Sequence, residues 1–341
     1  MKTQRPIWKV ALSAAVLSAS LRAGTLNFQT VDNPGDPMFN QLLGINNTGT
    51  IVGYFGDGGV QPNKGYQITS PYSAGNFTNE NFPGSVQTQV VGVNNAATPV
   101  TVGFWVDGLG NNFGFVNQNG NFIQVVDPNT PAMLTGVTRI NQLLGVNDNG
   151  LSAGFYVDAG GASHGYVYNI GTQVFTELTL PSSFGATSVT ATGINDNGVI
   201  SGFYTGPDDL IFGFVDNGGN FTSLTDPNAP GNTMLLGINN TGMAVGSYVD
   251  ASGNTHGLVY NSSSNTWQTV DDPNAVNIPA FAVAGTTVNG INDLGQLVGF
   301  YSDGTNVNGF VASPAPEPAS LILMGLGLCG AGLVRKWKRP N

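Results

Sequence analysis

The sequence predicts an all-β fold: a six-bladed β-propeller closed by its N-terminal strand and followed by a C-terminal hydrophobic helix. Three observations carry this reading. First, the motif Gly-[Ile/Val]-Asn-[Asn/Asp]-x-Gly opens at Gly44, Gly145, Gly193, Gly237 and Gly290. A sixth copy starts at Gly92, where Ala96-Ala97-Thr98-Pro99 lengthens the turn. Second, successive starts lie 48, 53, 48, 44 and 53 residues apart, long for the coils of a β-helix, and the 3.6-residue period of helical repeats is absent. Third, each repeat holds four short strand patterns, the content of one propeller blade.

Residues 1–23 have the composition of a secretory leader. Lys2, Arg5 and Lys9 form a charged start, and Val10–Ala19 is an apolar run followed by small residues, so cleavage is expected after Ser20 or Ala23. A membrane span needs roughly 20 apolar residues, and this run has about half that.

Residues 24–313 form the repeat body. The first strand of each unit runs into the motif (Gln41–Ile45, Thr88–Val93, Asn141–Val146) and the second follows it (Thr50–Phe55, Val199–Tyr204, Gln296–Tyr301). Segments such as Asn147-Asp148-Asn149-Gly150 between them suit a tight turn with positive φ. A second glycine marks the third strand, as in Lys64-Gly65-Tyr66, Phe113-Gly114-Phe115, His164-Gly165-Tyr166, Phe212-Gly213-Phe214, His256-Gly257-Leu258 and Asn308-Gly309-Phe310. The fourth strand has an aromatic near its start: Phe77–Glu80, Phe122–Val126, Phe175–Leu178, Phe221–Thr225 and Trp267–Val270. The sixth unit lacks a fourth strand, whereas Leu26–Asp32 has the pattern of one without a unit. Pairing the two closes the ring and hides the blade edges.

Residues 314–341 have three parts in order. Pro316-Glu317-Pro318 precedes the apolar run Ala319–Val334, and Arg335-Lys336-Trp337-Lys338-Arg339 follows, a basic cluster that stays on the cytoplasmic side. At 1.5 Å per residue the run makes a span of about 24 Å, short for a durable anchor. An ordinary C-terminal anchor has no need of Pro316-Glu317-Pro318. The arrangement closely resembles the PEP-CTERM sorting signal of Gram-negative bacteria. The resemblance implies processing by an exosortase near Pro316, Glu317 and Pro318, with Arg335, Lys336, Lys338 and Arg339 as the membrane stop. It further implies export across the inner membrane, with transient residence there through the C-terminal helix, and association with exopolysaccharide or biofilm. The repeats also resemble the extracellular HAF-repeat family, with His164-Gly165-Tyr166 and His256-Gly257-Leu258 in place of its short element, and that family carries no shared activity.

Charge narrows the function classes. The chain has 10 basic and 20 acidic residues, and eight of the basic ones lie in the two end segments. The body therefore carries a formal charge of −17 with only Lys64 and Arg139 as bases, which excludes nucleic acid as a partner. The single cysteine, Cys329, lies in the C-terminal run, so the body has no disulfide, thiolate metal site or cysteine nucleophile. Residues recurring in every unit serve the blade, including the Asp-Pro-Asn segments at Asp127, Asp226 and Asp272. Residues that break the repeat are the informative ones for chemistry: Glu80, Glu177, Asp208, Asp209, Arg139 and Lys64, together with His164 and His256. No phosphate loop is present. Acidic loops offer oxygen ligands to Ca²⁺, but no Asp-x-Asp-x-Asp-Gly loop occurs and the sequence assigns no cofactor. The expectation is a non-enzymatic cell-surface or matrix protein with exopolysaccharide or other surface proteins as partners. The alternative is a propeller enzyme acting on extracellular glycans, for which a carboxylate pair about 5–10 Å apart is the requirement.

Overall fold

The computed structural model describes residues 26–131, 138–277 and 285–315. Among these, strands fall into six four-stranded antiparallel sheets, each ordered as a simple meander. Blade 3 is representative: an inner strand Asn141–Val146, then Leu151–Val157, Ser163–Asn169 and the outer Val174–Glu177. Blade 6 combines Thr286–Ile291, Leu297–Ser302 and Val307–Pro314 with the N-terminal strand Leu26–Thr30. The register runs antiparallel from Leu26 opposite Pro314 to Thr30 opposite Phe310, as the sequence predicts. The expected C-terminal helix and the leader lie outside the described residues.

A meander sends alternate connections to opposite ends of each blade, so the propeller has two unlike faces. The turn between first and second strands, which holds the motif, lies on one face, here called the ring face. The turn between second and third strands and the link to the next blade lie on the other, the loop face. Leu26 and Pro314 pair at the ring-face end of blade 6, so both ends of the described body leave from that face.

The blades are fastened by apolar layers at equivalent positions. Leu42, Val90, Leu143, Ala191, Leu235 and Val288 on the inner strands are fully buried, as are Tyr66, Phe115, Tyr166, Phe214, Leu258 and Phe310 on the third strands. Leu42, Ile51 and Tyr66 of blade 1 pack with Val298 and Val311 of blade 6, so the core is the set of seams between blades. Each large apolar side chain so buried contributes about 1.5–3 kcal/mol. The second strand carries an aromatic at or next to its end in every blade (Phe55, Trp105, Tyr156, Tyr204, Tyr248 and Tyr301), facing the first residue of the third strand in blade 1 and the second in the other five.

Every inner strand carries a register shift just before its motif glycine, as between Leu143 and Gly145 and between Leu235 and Gly237. Such a bulge inserts one unpaired residue and turns the strand. It brings the glycines of adjacent blades against one another around the axis. A Cβ on Gly237 would lie 2.8 Å from the carbonyl oxygen of Asn289 and 3.3 Å from the Cα of Gly290. The waist of the channel is therefore backbone packed on backbone, which explains why the motif opens with glycine.

Candidate functional site

The first site is the axial mouth on the ring face. The third motif residue is asparagine in all six blades and is buried in each. Asn147 is typical: its Oδ1 accepts from the backbone N–H of Asn149 and Leu151, at 3.1 and 2.9 Å, and so holds its own turn. Its Nδ2 donates across the seam to the carbonyl of Asn195 at 2.9 Å. The same donation runs from Asn46 to Asn94, Asn94 to Asn147, Asn195 to Asn239, Asn239 to Asn292 and Asn292 back to Asn46, closing a circle. The positive φ falls on the turn glycine, 73° at Gly150, which leaves the asparagine free for this second task.

The fourth motif residue makes a second circle above the first. The backbone N–H of Asp148 donates to Asp196 Oδ1, Asp196 to Asn240, Asn240 to Asp293, Asp293 to Asn47, Asn47 to Asn95 and Asn95 to Asp148, at 2.6–2.9 Å. Asparagine and aspartate both offer an Oδ1 acceptor, which accounts for their interchange at this place. Asn240 Nδ2 also bridges Asp196 and Asp293 at 2.7 and 2.9 Å. A cavity of about 70 Å³ lies among these side chains above the glycine waist. Its lining of amides, Asp196, Asp293 and buried Ile and Val offers hydrogen bonds and negative charge, with no base or nucleophile from another residue type.

The second site is on the loop face, at two places. In blade 3, His164 is the second residue of the third strand and stacks on Tyr156, ring centroids 4.9 Å apart. Its Nε2 meets Asp158 Oδ2 at 3.0 Å and its Nδ1 meets Glu177 Oε1 at 2.9 Å. Blade 5 repeats this arrangement: His256 stacks on Tyr248, with Nδ1 at 2.8 Å from Asp271 Oδ2 and Nε2 at 3.4 Å from Asp250 Oδ2. Burial alone lowers the His164 pKa, but its bonds to Asp158 and Glu177 and their charges outweigh it, so the pKa stands above the usual value. His256 is raised in the same way against the same desolvation, by Asp271 and Asp250. Asp158 and Asp250 are each the second residue type of a recurrent turn: Asp57, Asp107, Asp158, Asp250 and Asp303 all accept backbone N–H groups of their own loop at Oδ1. Sequence reasoning passed over this aspartate, although its spacing from the second-strand aromatic was visible.

The repeat-breaking residues do not come together. Glu80 is buried in the seam between blades 1 and 2, where Oε1 accepts from Thr101 and, at 2.7 Å, from Asn117 Nδ2, while Oε2 has no partner. Lys64 donates to the carbonyl of Val86 at 3.0 Å. Arg139 lies 5.9 Å from the ring of Phe113. Asp208 and Asp209 occupy an exposed turn of blade 4 with φ of 60° and 58°. Only Glu177 joins a histidine. Asp127, Asp226 and Asp272 hold their links as expected, each Oδ1 accepting the N–H two residues on, at 2.8–2.9 Å. Among the described residues no group of three His, Cys, Asp or Glu is arranged to hold a metal ion, and no aromatic side chain is fully exposed. Pro316, Glu317, Pro318 and the basic cluster Arg335, Lys336, Lys338 and Arg339 lie outside the described residues.

The fold and these sites define a closed β-propeller with two polar rings around its axis. Comparison with known proteins adds one specific match: residues 314–339 match the family described as a PEP-CTERM protein-sorting motif. That motif implies export and a surface or extracellular location in Gram-negative bacteria. No curated protein matches the sequence. Similar solved structures include TolB from Acinetobacter baumannii, at 10% identity and a TM-score of 0.50, covering 79% of this chain and 64% of that one. Trypanosoma rangeli sialidase is similar at 10% identity and a TM-score of 0.47, covering 88% and 56%. Aleuria aurantia lectin is similar at 12% identity and a TM-score of 0.43, covering 85% and 99%. The chain thus spans less than two thirds of the length of the first two, and the likeness to TolB speaks to the fold alone.

Proposed function

We propose that this chain is an exported, exosortase-processed protein of the cell surface or extracellular matrix, with a non-enzymatic binding or structural role associated with exopolysaccharide. Residues 1–23 act as the leader, 24–313 as the propeller, and 314–341 as a sorting signal with a short membrane-spanning segment that holds the inner membrane until cleavage near Pro316-Glu317-Pro318. The observation that carries the reading is the sorting motif joined without a linker to the last propeller strand, which ends at Pro314. The axial mouth supports the non-enzymatic role, because its polar groups already accept or donate around two closed circles.

The test pairs localisation with binding. In a Gram-negative host with an exosortase, the wild-type chain should lose its C-terminal segment and leave the inner membrane, whereas Glu317→Ala should remain membrane-bound at full length. The purified body should bind exopolysaccharide without releasing reducing sugars. Identical processing of both chains would overturn the sorting assignment, and turnover of the glycan would replace the binding role with the enzymatic one.

A further inference from the structure

We propose that His164 and His256 are a pair of pH-responsive fasteners, each clamping a loop-face turn to the outer strand of its blade, closed in acid and released in alkali. The inference concerns the fold and stands whether or not a glycan is the ligand.

Both ring nitrogens of each histidine face a carboxylate oxygen: 3.0 and 2.9 Å in blade 3, 3.4 and 2.8 Å in blade 5. A neutral imidazole has one N–H, so it can donate to one carboxylate and must turn a lone pair on the other. Only the imidazolium satisfies both at once. The two carboxylates come from different elements. Asp158 caps the turn 158–162 and Asp250 the turn 250–254, whereas Glu177 ends the outer strand of blade 3 and Asp271 follows that of blade 5. The imidazolium therefore ties a turn to a strand two positions away across the sheet.

The surroundings add to the dependence. In blade 3 the groups facing the imidazole are Asp158, Glu177, the phenol of Tyr156, and Asp127 of the preceding link, whose carboxyl feels both Glu177 and His164. In blade 5 they are Asp250, Asp271 and Tyr248, which also feels Asp226. Loss of the proton leaves three carboxylates around one phenol with no cation between them. Because the folded-state pKa of each histidine is raised, the tie is complete below the ordinary histidine range and is lost as pH rises through the folded-state value. The longer contact to Asp250 marks it as the first to part.

The fold contains its own controls. Blade 2 has the same capped turn, with Asp107 accepting from Leu109 and Asn111, but Phe113 stands where the histidine would be. Blade 6 has Asp303 and Asp32 in the places of the two carboxylates and Asn308 between them, donating to Asp303 at 3.2 Å.

The test is a pH series from 5.5 to 9 on the whole exported body, reading histidine side-chain resonances and amide exchange together, with exchange corrected for its intrinsic pH dependence. Both histidines should titrate above the free-histidine value, and residues 158–162 and 250–254 should lose protection several-fold across that transition while 107–111 do not. His164→Phe and His256→Phe place the residue of blades 2 and 4 at each site, and each should abolish the response in its own blade only. Histidines titrating at or below the free value, or equal loosening of the blade 2 turn, would overturn the proposal; both readouts on the wild type decide it even if a variant fails to fold.

Discussion

Glu80 shows what one residue out of pattern does to a repeated seam. Its place on the outer strand is held by Val31, Val125, Leu178, Leu224 and Val270 in the other blades, and it is 4% exposed. Burial pushes its carboxyl pKa up against the opposing bonds from Thr101 and Asn117. The folded state then holds a proton that the unfolded chain releases, so this group's contribution is complete below the unfolded pKa and is lost as pH rises through the folded one. Glu80→Gln cannot ionise. It should match the wild type near pH 4 and exceed it by about 1 kcal/mol at pH 8, since the ionised form leaves a buried charge unpaired. Urea melts at the two pH values check this, and a variant weaker than wild type at pH 8 would contradict it. Asp32 is pushed up to about 6, chiefly by burial with Asp303 adding repulsion, so Asp32→Asn should flatten the stability profile between pH 4 and 6. Neither shift was legible in the sequence. Glu80 stood out as a break in the repeat, but whether a break lies in a seam or a cleft depends on which neighbour strand covers it.

At the scale of the element, the first-to-second-strand turn is also a joint between blades. Asn147→Asp keeps the acceptor that holds its own turn and loses the donor to Asn195, whereas Asn147→Ala loses both. Asn147→Ala should cost about 2–3 kcal/mol for three lost bonds; Asn147→Asp loses one bond, about 1 kcal/mol, and adds a buried carboxylate facing the Asn195 carbonyl, so at neutral pH it should cost at least as much. Chemical denaturation at neutral pH should check this, and an Asn147→Asp protein as stable as wild type would show that the circle contributes nothing beyond the turn. Asp148→Asn preserves the Oδ1 that accepts from Asn95 and should change stability by no more than about 0.5 kcal/mol. The strands were readable nearly to the residue, because glycine, β-branched and aromatic periodicities report strand ends directly. The rings were not, because a donor reaching the next repeat has no local signature. One trace was present: the copy at Gly92 has a different turn yet keeps Asn94, so the asparagine had to answer to something besides the turn. Likewise the two histidines could be aligned as one repeat position, but each meets one carboxylate from a turn and one at the end of the outer strand, and the latter differs between blades, Glu177 in one and Asp271 in the other.

For the whole molecule, the decisive contact is the one that joins its ends. Leu26–Thr30 pairs residue for residue with the strand that runs into the sorting segment. Phe28 packs 5.5 Å from Phe310, Thr30 Oγ1 lies 3.0 Å from the Tyr301 hydroxyl, and the N–H of Val31 donates to Gly309 at 2.8 Å. Without residues 26–32 the strand Val307–Pro314 would become an exposed edge, with unpaired backbone groups and an uncovered Phe310. That strand is also the one through which any pull from a membrane-held C-terminus enters the fold. Flanked on both sides, it passes load into two hydrogen-bonded ladders; as an edge it has one. A body beginning at Asn33 should therefore melt roughly 10 °C below one beginning at Leu26, the burial of Phe28 and Val31 and the lost ladder together amounting to about 5 kcal/mol. Adding the peptide Leu26–Asp32 in trans should recover part of that loss, since the acceptor edge remains in place. Equal melting of the two bodies would mean that the ring is held by its seams and inner circles alone, and that the N-terminal strand decorates blade 6 instead of closing it.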